Sequence, residues 1–183
     1  MSQYPKKNHR LKSGQEVVVR SATSEDASTI MEMVSGVFRS SPYLLTEPDE
    51  FNVTLDQEKS WVDGFLKSPN SVLLLAESQN QVVGILDFQG GHRRRIAHSG
   101  TIGISVRAEY RGQGVGSLLM SALIDWAKGT ANVERLDLLV FADNAHAIAL
   151  YKKMGFQEEG RKRRAIRLSD GRYLDELMMT RFV

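Results

Sequence analysis

Three glycines at alternate positions form a turn between an apolar, strand-like run and a strongly periodic helix. The turn consists of Arg111, Gly112, Gln113, Gly114, Val115 and Gly116. Glycines leave the backbone bare, and the first N–H groups of a helix have no partner within it, so such a turn binds anions, most often phosphate. The pattern therefore requires a strand–turn–helix unit and indicates a nucleotide-type cofactor that is held by its phosphates.

Two common nucleotide-binding loops do not fit this turn. A dinucleotide-binding fold needs Gly-x-Gly-x-x-Gly early in the chain and an acidic residue about 20 residues later. Here the turn follows four predicted strands, and its third glycine has a different spacing. A P-loop ends in Gly-Lys-Ser or Gly-Lys-Thr, which the turn lacks. On the glycines alone, a strand-to-helix turn without any ligand is an open alternative.

The composition is that of one compact domain with an ordinary surface. The 183 residues can bury a substantial core, and the formal net charge of +2 gives no argument for nucleic acid. The chain has no cysteine, which excludes disulfides, a thiol nucleophile and a cysteine-ligated metal, and fits a reducing cytoplasm. The histidines lack metal-ligand spacing, and no apolar stretch is long enough to span a membrane. We therefore expect a cytoplasmic protein without a metal, a nucleic-acid partner or a membrane partner.

Periodicity predicts one mixed α/β domain, of the α+β kind, around a single central sheet of about seven strands. The predicted strands cover residues 16–20, 72–77, 81–88, 97–106, 136–141, 156–168 and 172–182. Two helices lie between the first two strands, one helix follows the glycine turn, and a short helix covers residues 145–154. The polar residues 1–15 are expected to be a flexible N-terminal segment, and residues 16–183 to form the domain.

Two separate motifs resemble, in the correct order, the signatures of the GNAT superfamily of acyl-CoA-dependent N-acyltransferases. The first consists of Val106, Arg111, Gly112, Gly114 and Gly116. The second consists of Asp143, Asn144, Ala147, Leu150, Tyr151, Gly155 and Phe156. The resemblance runs from residue 17 or so to the C-terminus. It implies a GNAT-like domain in which the strand over residues 97–106 splays away from the strand over residues 136–141, with helices flanking the sheet.

The resemblance implies that acetyl-CoA, as co-substrate, is held along the first motif. Backbone N–H groups of the turn would bond the pyrophosphate oxygens at the helix N-terminus. The pantetheine arm would pair with the exposed backbone of the preceding strand, and an asparagine suited to a helix N-cap would also contact the arm. The cofactor-binding residues expected on this basis are Ile104, Val106, Arg111, Gly112, Gln113, Gly114, Val115, Gly116, Asn144 and Tyr151.

Acetyl transfer from a thioester to an amine needs a proton for the leaving thiolate. The resemblance assigns this proton to Tyr151, and the alternative is a core tyrosine whose hydroxyl is bonded locally. The tetrahedral oxyanion also needs a donor, for which a free backbone N–H within residues 102–106 is the candidate. Tyr151 is therefore expected to be both a catalytic residue and a neighbour of the cofactor.

The general base is open. The amine must lose a proton before it attacks, and His98 is the candidate because an imidazole titrates near neutral pH. Glu32, Glu77 and Asp87 are rivals, and a chain of water molecules or an amine that arrives deprotonated would serve instead. A histidine alone on a strand also fits a structural hydrogen bond, so His98 has that alternative role.

The resemblance implies an enzyme that transfers an acetyl group from acetyl-CoA to the primary amine of a small molecule, such as an amino acid, a polyamine or an amine-bearing toxin. The C-terminal region is similar to branches that act on amino acids, polyamines and the N-termini of ribosomal proteins. A protein N-terminal or lysine acetyltransferase is therefore an alternative, and a non-catalytic acyl-CoA sensor is an alternative of another class. A homodimer that pairs the long final strands is also expected.

Overall fold

The computed structural model describes residues 3–130 and 132–183, and its described strands form one sheet of eight. The strands are β1 (Lys7–Arg10), β2 (Glu16–Ser21), β3 (Val72–Ser78), β4 (Gln81–Gly90), β5 (Ser99–Val106), β6 (Arg135–Phe141), β7 (Gln157–Arg167) and β8 (Tyr173–Phe182). The helices are α1 (Ala27–Ser40), α2 (Leu55–Lys67), α3 (Val115–Gly129) and α4 (Ala145–Lys153). This order confirms the predicted mixed α/β domain from β2 onward.

The N-terminal segment is more ordered than its polar composition indicated. β1 pairs with β2 in antiparallel register, from Lys7 opposite Val19 to Arg10 opposite Glu16. Tyr4 and Leu11 flank the strand and are buried, with 6% and 5% of their surface exposed. The expectation of a flexible segment over residues 1–15 is therefore wrong at β1, which is why the sheet has eight strands and not seven. β1 is held at the edge of the sheet by its pairing with β2 and by these two buried apolar side chains. The strand itself has no alternation of apolar and polar residues that would predict it from the sequence.

Strand order across the sheet is β1-β2-β3-β4-β5-β6-β8-β7, and among these described strands only the β5–β6 pair is parallel. That pair is short: Ser99–Thr101 face Arg135–Asp137, and the ladder then ends. Beyond it, β5 stays with β4 as far as Val106, while β6 stays with β8 as far as Phe141. The two strands therefore separate, as predicted. We call the gap between residues 102–106 and residues 138–141 the splay.

Two apolar layers cover the two faces of the sheet. On one face α3 packs along β4, where the rings of Phe88 and Trp126 meet at 5.7 Å, and Tyr151 of α4 joins the same core. On the other face α1 and α2 bury a second cluster against β3 and β4, made of Ala22, Ile30, Met33, Val37, Val62, Phe65, Leu73, Leu75, Val82 and Ile85. The α3–α4 face and the α1–α2 face thus carry separate apolar clusters.

Local sequence explains where the helices begin. Thr54 caps α2 in a reciprocal pair with Gln57, and Asn144 caps α4 by accepting a bond from the N–H of Ala147 at 3.2 Å. Gly155, with φ of +83°, follows the end of α4 in the left-handed conformation that glycine favours. No helix within residues 3–130 and 132–183 combines the length and the apolar character needed to cross a membrane.

Candidate active site

The glycine turn leaves its backbone donors free. Gly112 and Gly114 have φ of +74° and +105°, and Gly114 is the N-cap of α3. Within the described part of the chain, the N–H groups of Gly112, Gln113 and Gly114 enter no hydrogen bond. A Cβ added at either glycine would meet no atom within 4 Å. The turn therefore presents donors to open space at a helix N-terminus, which is the arrangement that binds a phosphate.

The third glycine of the turn has a different task, which is close packing. A Cβ at Gly116 would lie 3.1 Å from Cδ2 of Leu150 and 3.9 Å from Cδ1 of Ile104. The start of α3, the middle of α4 and the free part of β5 therefore meet at this one position. Both sequence motifs and the edge of the splay come together there.

The side chain of Arg111 bonds to the protein itself. Its Nε donates to the carbonyl oxygen of Val106 at 3.1 Å, and its terminal nitrogens donate to the carbonyl and hydroxyl oxygens of Ser40 at 3.1 and 3.2 Å. The side-chain Nε2 of Gln113 likewise donates to the carbonyl of Glu109 at 2.7 Å. Arg111 thus joins the end of β5 to the end of α1, so the backbone of the turn, and not its guanidinium, is what faces the open space.

Asn144 has one end of its amide engaged and one end free. Its Oδ1 caps α4, and its Nδ2 makes no hydrogen bond to any described residue. The helix cap that the sequence predicted is therefore confirmed. The free Nδ2 lies at the start of α4, two turns before Tyr151, and is available to a ligand.

Tyr151 is packed into the core, but its hydroxyl has no partner among the described residues. The residue is 7% exposed, and its ring centroid lies 6.1 Å from that of Phe156. Burial raises the pKa of Tyr151 to about 12, so the phenol is protonated at neutral pH. Among the described residues, none bonds the hydroxyl, which still touches solvent. The locally bonded alternative therefore does not describe Tyr151, which retains a proton to donate.

The structure does not bring His98 to this site. His98 is exposed, lies just before β5, and its carbonyl accepts from the N–H groups of Glu134 and Arg135 at 2.8 and 3.1 Å. Strands rise about 3.3 Å per residue, so His98 lies roughly 20 Å of strand away from Ile104. This position is at the closed end of the β5–β6 pair. Its role as a base has no support from the geometry, and the structural alternative fits the carbonyl bonds.

Two of the rival acids are occupied by arginines. Glu77 accepts from Nε and from one terminal nitrogen of Arg20 at 2.8 and 2.9 Å. Glu32 pairs with Arg107 at 3.1 Å on an exposed part of α1. Asp87 differs, since it meets no arginine or lysine in the described part of the chain, and its carboxyl accepts from the side-chain amide of Gln89 at 3.1 Å and from its own backbone N–H. Burial raises the pKa of Asp87, and the bond from Gln89 only partly opposes this rise.

Contacts between distant parts of the chain shape the outer side of the splay. Tyr43, in the segment after α1, packs edge-to-face against Phe141 at the end of β6, with ring centroids 6.0 Å apart. With the bonds from Arg111 to Ser40, this contact draws the α1–α2 connection over the splay. No spacing in the sequence signals such pairs, because the partners are far apart along the chain. Across residues 3–130 and 132–183, no three His, Asp or Glu side chains cluster closely enough to hold a metal.

Comparison with known proteins identifies the class. The profile described as "Acetyltransferase (GNAT) family" matches residues 38–156. The chain belongs to the GNAT family of acetyltransferases and is an acetyl-CoA-dependent N-acetyltransferase. It is 32% identical over 171 residues to the L-amino acid N-acetyltransferase AaaT of Escherichia coli (strain K12), covering 91% of this chain and 98% of that protein.

Solved structures give the same fold. An acetyltransferase of the GNAT family from Streptococcus pneumoniae superimposes with a TM-score of 0.89 at 27% identity, over 91% of this chain and 99% of that one. The structure of YncA from Salmonella typhimurium, solved with its cofactor acetyl-CoA, has a TM-score of 0.80 at 20% identity, over 91% of this chain and 93% of that one. The GNAT-like sheet implied by the two motifs is therefore confirmed.

Proposed function

We propose that this acetyltransferase acylates the primary amine of a small molecule, with an L-amino acid as the first acceptor class to test. One observation carries the proposal: the glycine turn, the free edge of β5 and the helix of Tyr151 all meet at Gly116. A donor molecule held by the turn would extend its acyl arm into the splay. Its thioester would then lie between a protonated phenol on one face of the sheet and the α1–α2 face on the other.

The residues fit coenzyme A as the donor. The N–H groups of Gly112, Gln113 and Gly114 suit two linked phosphates, because they have no hydrogen-bond partner among the described residues and lie at the positive end of α3. The strand edge at Ile104 and Val106 has no partner on the β6 side, so it offers backbone groups to the amides of a pantetheine arm. Asn144 offers its free Nδ2 from the other wall.

The chemistry follows from the protonation state of Tyr151. A neutral amine attacks the thioester carbon, the carbonyl oxygen becomes an oxyanion, and a free N–H of residues 102–106 stabilises it. The C–S bond then breaks while Tyr151 donates its proton to sulfur. The nitrogen loses a proton that restores the phenol, so the products are an amide and a free thiol. Because its pKa is about 12, the phenol is still protonated when the C–S bond breaks.

The amino-acid acceptor rests on the relative named for L-amino acids, which this chain matches over nearly its whole length. The α1–α2 side of the splay is compatible with a small amine. It has an aromatic pair at its rim, Tyr43 with Phe141, and a half-buried carboxyl without a cationic partner among the described residues, Asp87. A peptide N-terminus presents the same primary amine, so only measured specificity separates the two acceptors.

An acceptor screen tests the proposal. Purified protein and acetyl-CoA are mixed with L-amino acids, polyamines, peptides with a free N-terminus and N-blocked lysine peptides, and thiol release is followed with product mass. We expect an amino acid to give the largest kcat/KM, by at least about tenfold, which is 1.4 kcal/mol of transition-state binding. A peptide as best acceptor would replace the proposal with protein acetylation. Acetyl-CoA binding without any thiol release would make the protein a sensor.

The expected homodimer stays a prediction. Every residue of β7 except Gly160 and Ile166 is exposed, so the strand has free surface for a second copy. Light scattering over a range of protein concentrations measures the mass directly, and a constant monomer mass would contradict the expectation.

A further inference from the structure

Asp87 points to the α1–α2 face of the sheet. Successive side chains of a strand point to opposite faces. Leu86 and Phe88, its neighbours on β4, both pack in the core with α3, whereas Ile85 packs with α1 and α2. Asp87 therefore shares the face of Ile85, opposite to the face from which Tyr151 approaches the splay.

The carboxyl lies over the strand that borders the splay. The partner of Asp87 on β5 is Gly103, which lies between Ile102 and Ile104 and within the stretch that has left β6. A Cβ on Gly103 would lie 3.1 Å from Cγ of Asp87 and closer still to Oδ1. The glycine thus leaves the space that the carboxyl fills. The carboxyl of Asp87 therefore lies over Gly103, one residue before Ile104, where the acyl arm is proposed to lie.

The surroundings leave this carboxyl without a cationic partner among the described residues. Its strand neighbour on β3 is Leu73, and the helices meet this face with an apolar cluster. On α1, Glu32 is paired with Arg107 and Arg39 is exposed in the last turn. On α2, Glu58 is buried and its pKa is raised by burial alone. The pKa of Asp87 is raised first by burial, against which bonds from Gln89 and its own backbone N–H act.

We propose that Asp87 is the general base of the reaction, taking a proton from the ammonium group of the acceptor on the α1–α2 face of the splay. This inference rests on the proposed acetyl transfer. The ammonium loses one proton to the Asp87 carboxylate, and the neutral amine attacks the thioester carbon. The nitrogen's second proton replaces the one that Tyr151 gives to sulfur. The products are the amide, the free thiol and one proton, which Asp87 releases to solvent.

The position explains why a carboxyl suits this task. An ordinary aspartate has a pKa of about 3.9, which makes it a weak base, and burial moves the pKa upward toward the working pH. The acid and the base enter from opposite faces, so they do not neutralise each other. The buried cluster from α1 and α2 on this face consists of apolar side chains, so it supplies no counter-charge.

The test compares Asp87→Asn with the wild type and with Glu58→Gln, across pH values from about 5 to 10, with the best acceptor of the screen. Glu58 is a matched control, because burial raises its pKa too but it lies on α2. For Asp87→Asn we expect kcat to fall at least about 100-fold near neutral pH, with the KM for acetyl-CoA unchanged. The kcat of Asp87→Asn should then rise as the pH approaches the pKa of the acceptor amine, so that the difference in kcat between the variant and the wild type becomes smaller. Glu58→Gln should follow the wild type.

A second variant keeps the carboxyl but moves it. Gly103→Ala should push the Asp87 carboxyl aside, so kcat falls while the acidic limb of the pH profile persists. Asp87→Asn with wild-type kcat, or with only a raised acceptor KM and an intact acidic limb, would overturn the inference. If the wild type acetylates no amine, the proposed function fails before the variants are compared. If it does and Asp87→Asn matches it, only the assignment of the base fails.

Discussion

The carboxyl of Asp87 fills the space in which a side chain at residue 103 would begin, and Gly103 is its partner across the β4–β5 ladder. This relationship places an acid with no cationic partner among the described residues beside the strand that leaves the sheet at the splay. Tyr151 approaches from the other face with a free hydroxyl. The acid and the base of the proposed reaction therefore come from opposite layers of the domain.

Asp87→Asn should stabilise the protein at neutral pH. Burial raises the folded-state pKa of Asp87 above its unfolded value, so the folded protein loses stability as pH rises through that range. The neutral amide of asparagine does not ionise, so the variant keeps the stability that the wild type loses. Each kcal/mol of unfolding free energy regained raises Tm by about 2–4 °C. Thermal melts should show the gain at pH 7 and its disappearance below about pH 4, where the carboxyl is protonated in both states. A lower Tm at pH 7 would contradict this expectation.

Tyr151→Phe should reduce kcat by roughly 100-fold and leave the KM for acetyl-CoA close to that of the wild type. The substitution removes the proton donor but keeps the packed ring, and the hydroxyl has no bond to lose among the described residues. Tm should therefore change little. Tyr173→Phe is the control, because its ring is 44% exposed and lies under Arg164 on the surface. Full turnover by Tyr151→Phe would remove the phenol from the mechanism.

The pH dependence of activity gives a second test of the protonation state of Tyr151. With a pKa of about 12, the phenol keeps its proton throughout the assay range, so activity should not decline as pH rises through 10. A basic limb near pH 10 that is absent from Tyr151→Phe would mean that the phenol ionises at an ordinary pKa.

Gly114→Ala should weaken acetyl-CoA binding by at least about tenfold. If the turn is displaced, one of its N–H groups loses its bond to a phosphate, and a bond to a charged group is worth about 1.5–3 kcal/mol. Gly114 has φ of +105°, and an alanine there costs about 1–2 kcal/mol of strain or displaces the turn. Gly64→Ala is the matched control. Gly64 lies inside α2 with open space around it, so alanine should add about 0.5–1 kcal/mol of stability and leave binding unchanged. Calorimetric titration with acetyl-CoA measures the binding affinity of the two variants.

Leu11→Ala should cost about 2–4 kcal/mol of unfolding free energy, because Leu11 is buried in the core with α3 beside β1. Lys12→Ala, one residue further on and exposed, should change it by no more than about 0.5 kcal/mol. Urea melts of the two variants compare them directly. Equal midpoints would mean that the N-terminal segment contributes nothing to the core.

Local patterns predicted the parts of the site that one stretch of chain builds alone. The alternating glycines predicted a bare turn before α3, and the structure places Gly112 and Gly114 at positive φ with free N–H groups. Asn144 was predicted as a helix cap and caps α4. These features depend on backbone geometry within a few residues, which sequence determines directly.

Features that need two distant segments did not follow from local patterns. The polar composition of residues 1–15 concealed β1, which forms because β2 offers a free edge. His98 was chosen for the pKa of imidazole, but the short β5–β6 ladder puts it at the closed end. The side chain of Arg111 turned toward Ser40, 71 residues away in sequence. Gly116 serves the contact of α3 with Leu150 and Ile104.

The amino-acid sequence by itself determined the element order from β2 onward, the bare glycine turn before α3 and the family. Each of these follows from periodicity, from glycine's backbone freedom or from short motifs, which are local in the chain. Only the tertiary structure decided which acids are free and which are paired, because burial and ion pairing depend on what other elements bring. The sequence alone does not distinguish Asp87, Glu77 and Glu32 as candidate bases. In the structure, Glu77 forms an ion pair with Arg20, and Glu32 forms one with Arg107. Asp87 alone of the three faces the splay without a cation among the described residues.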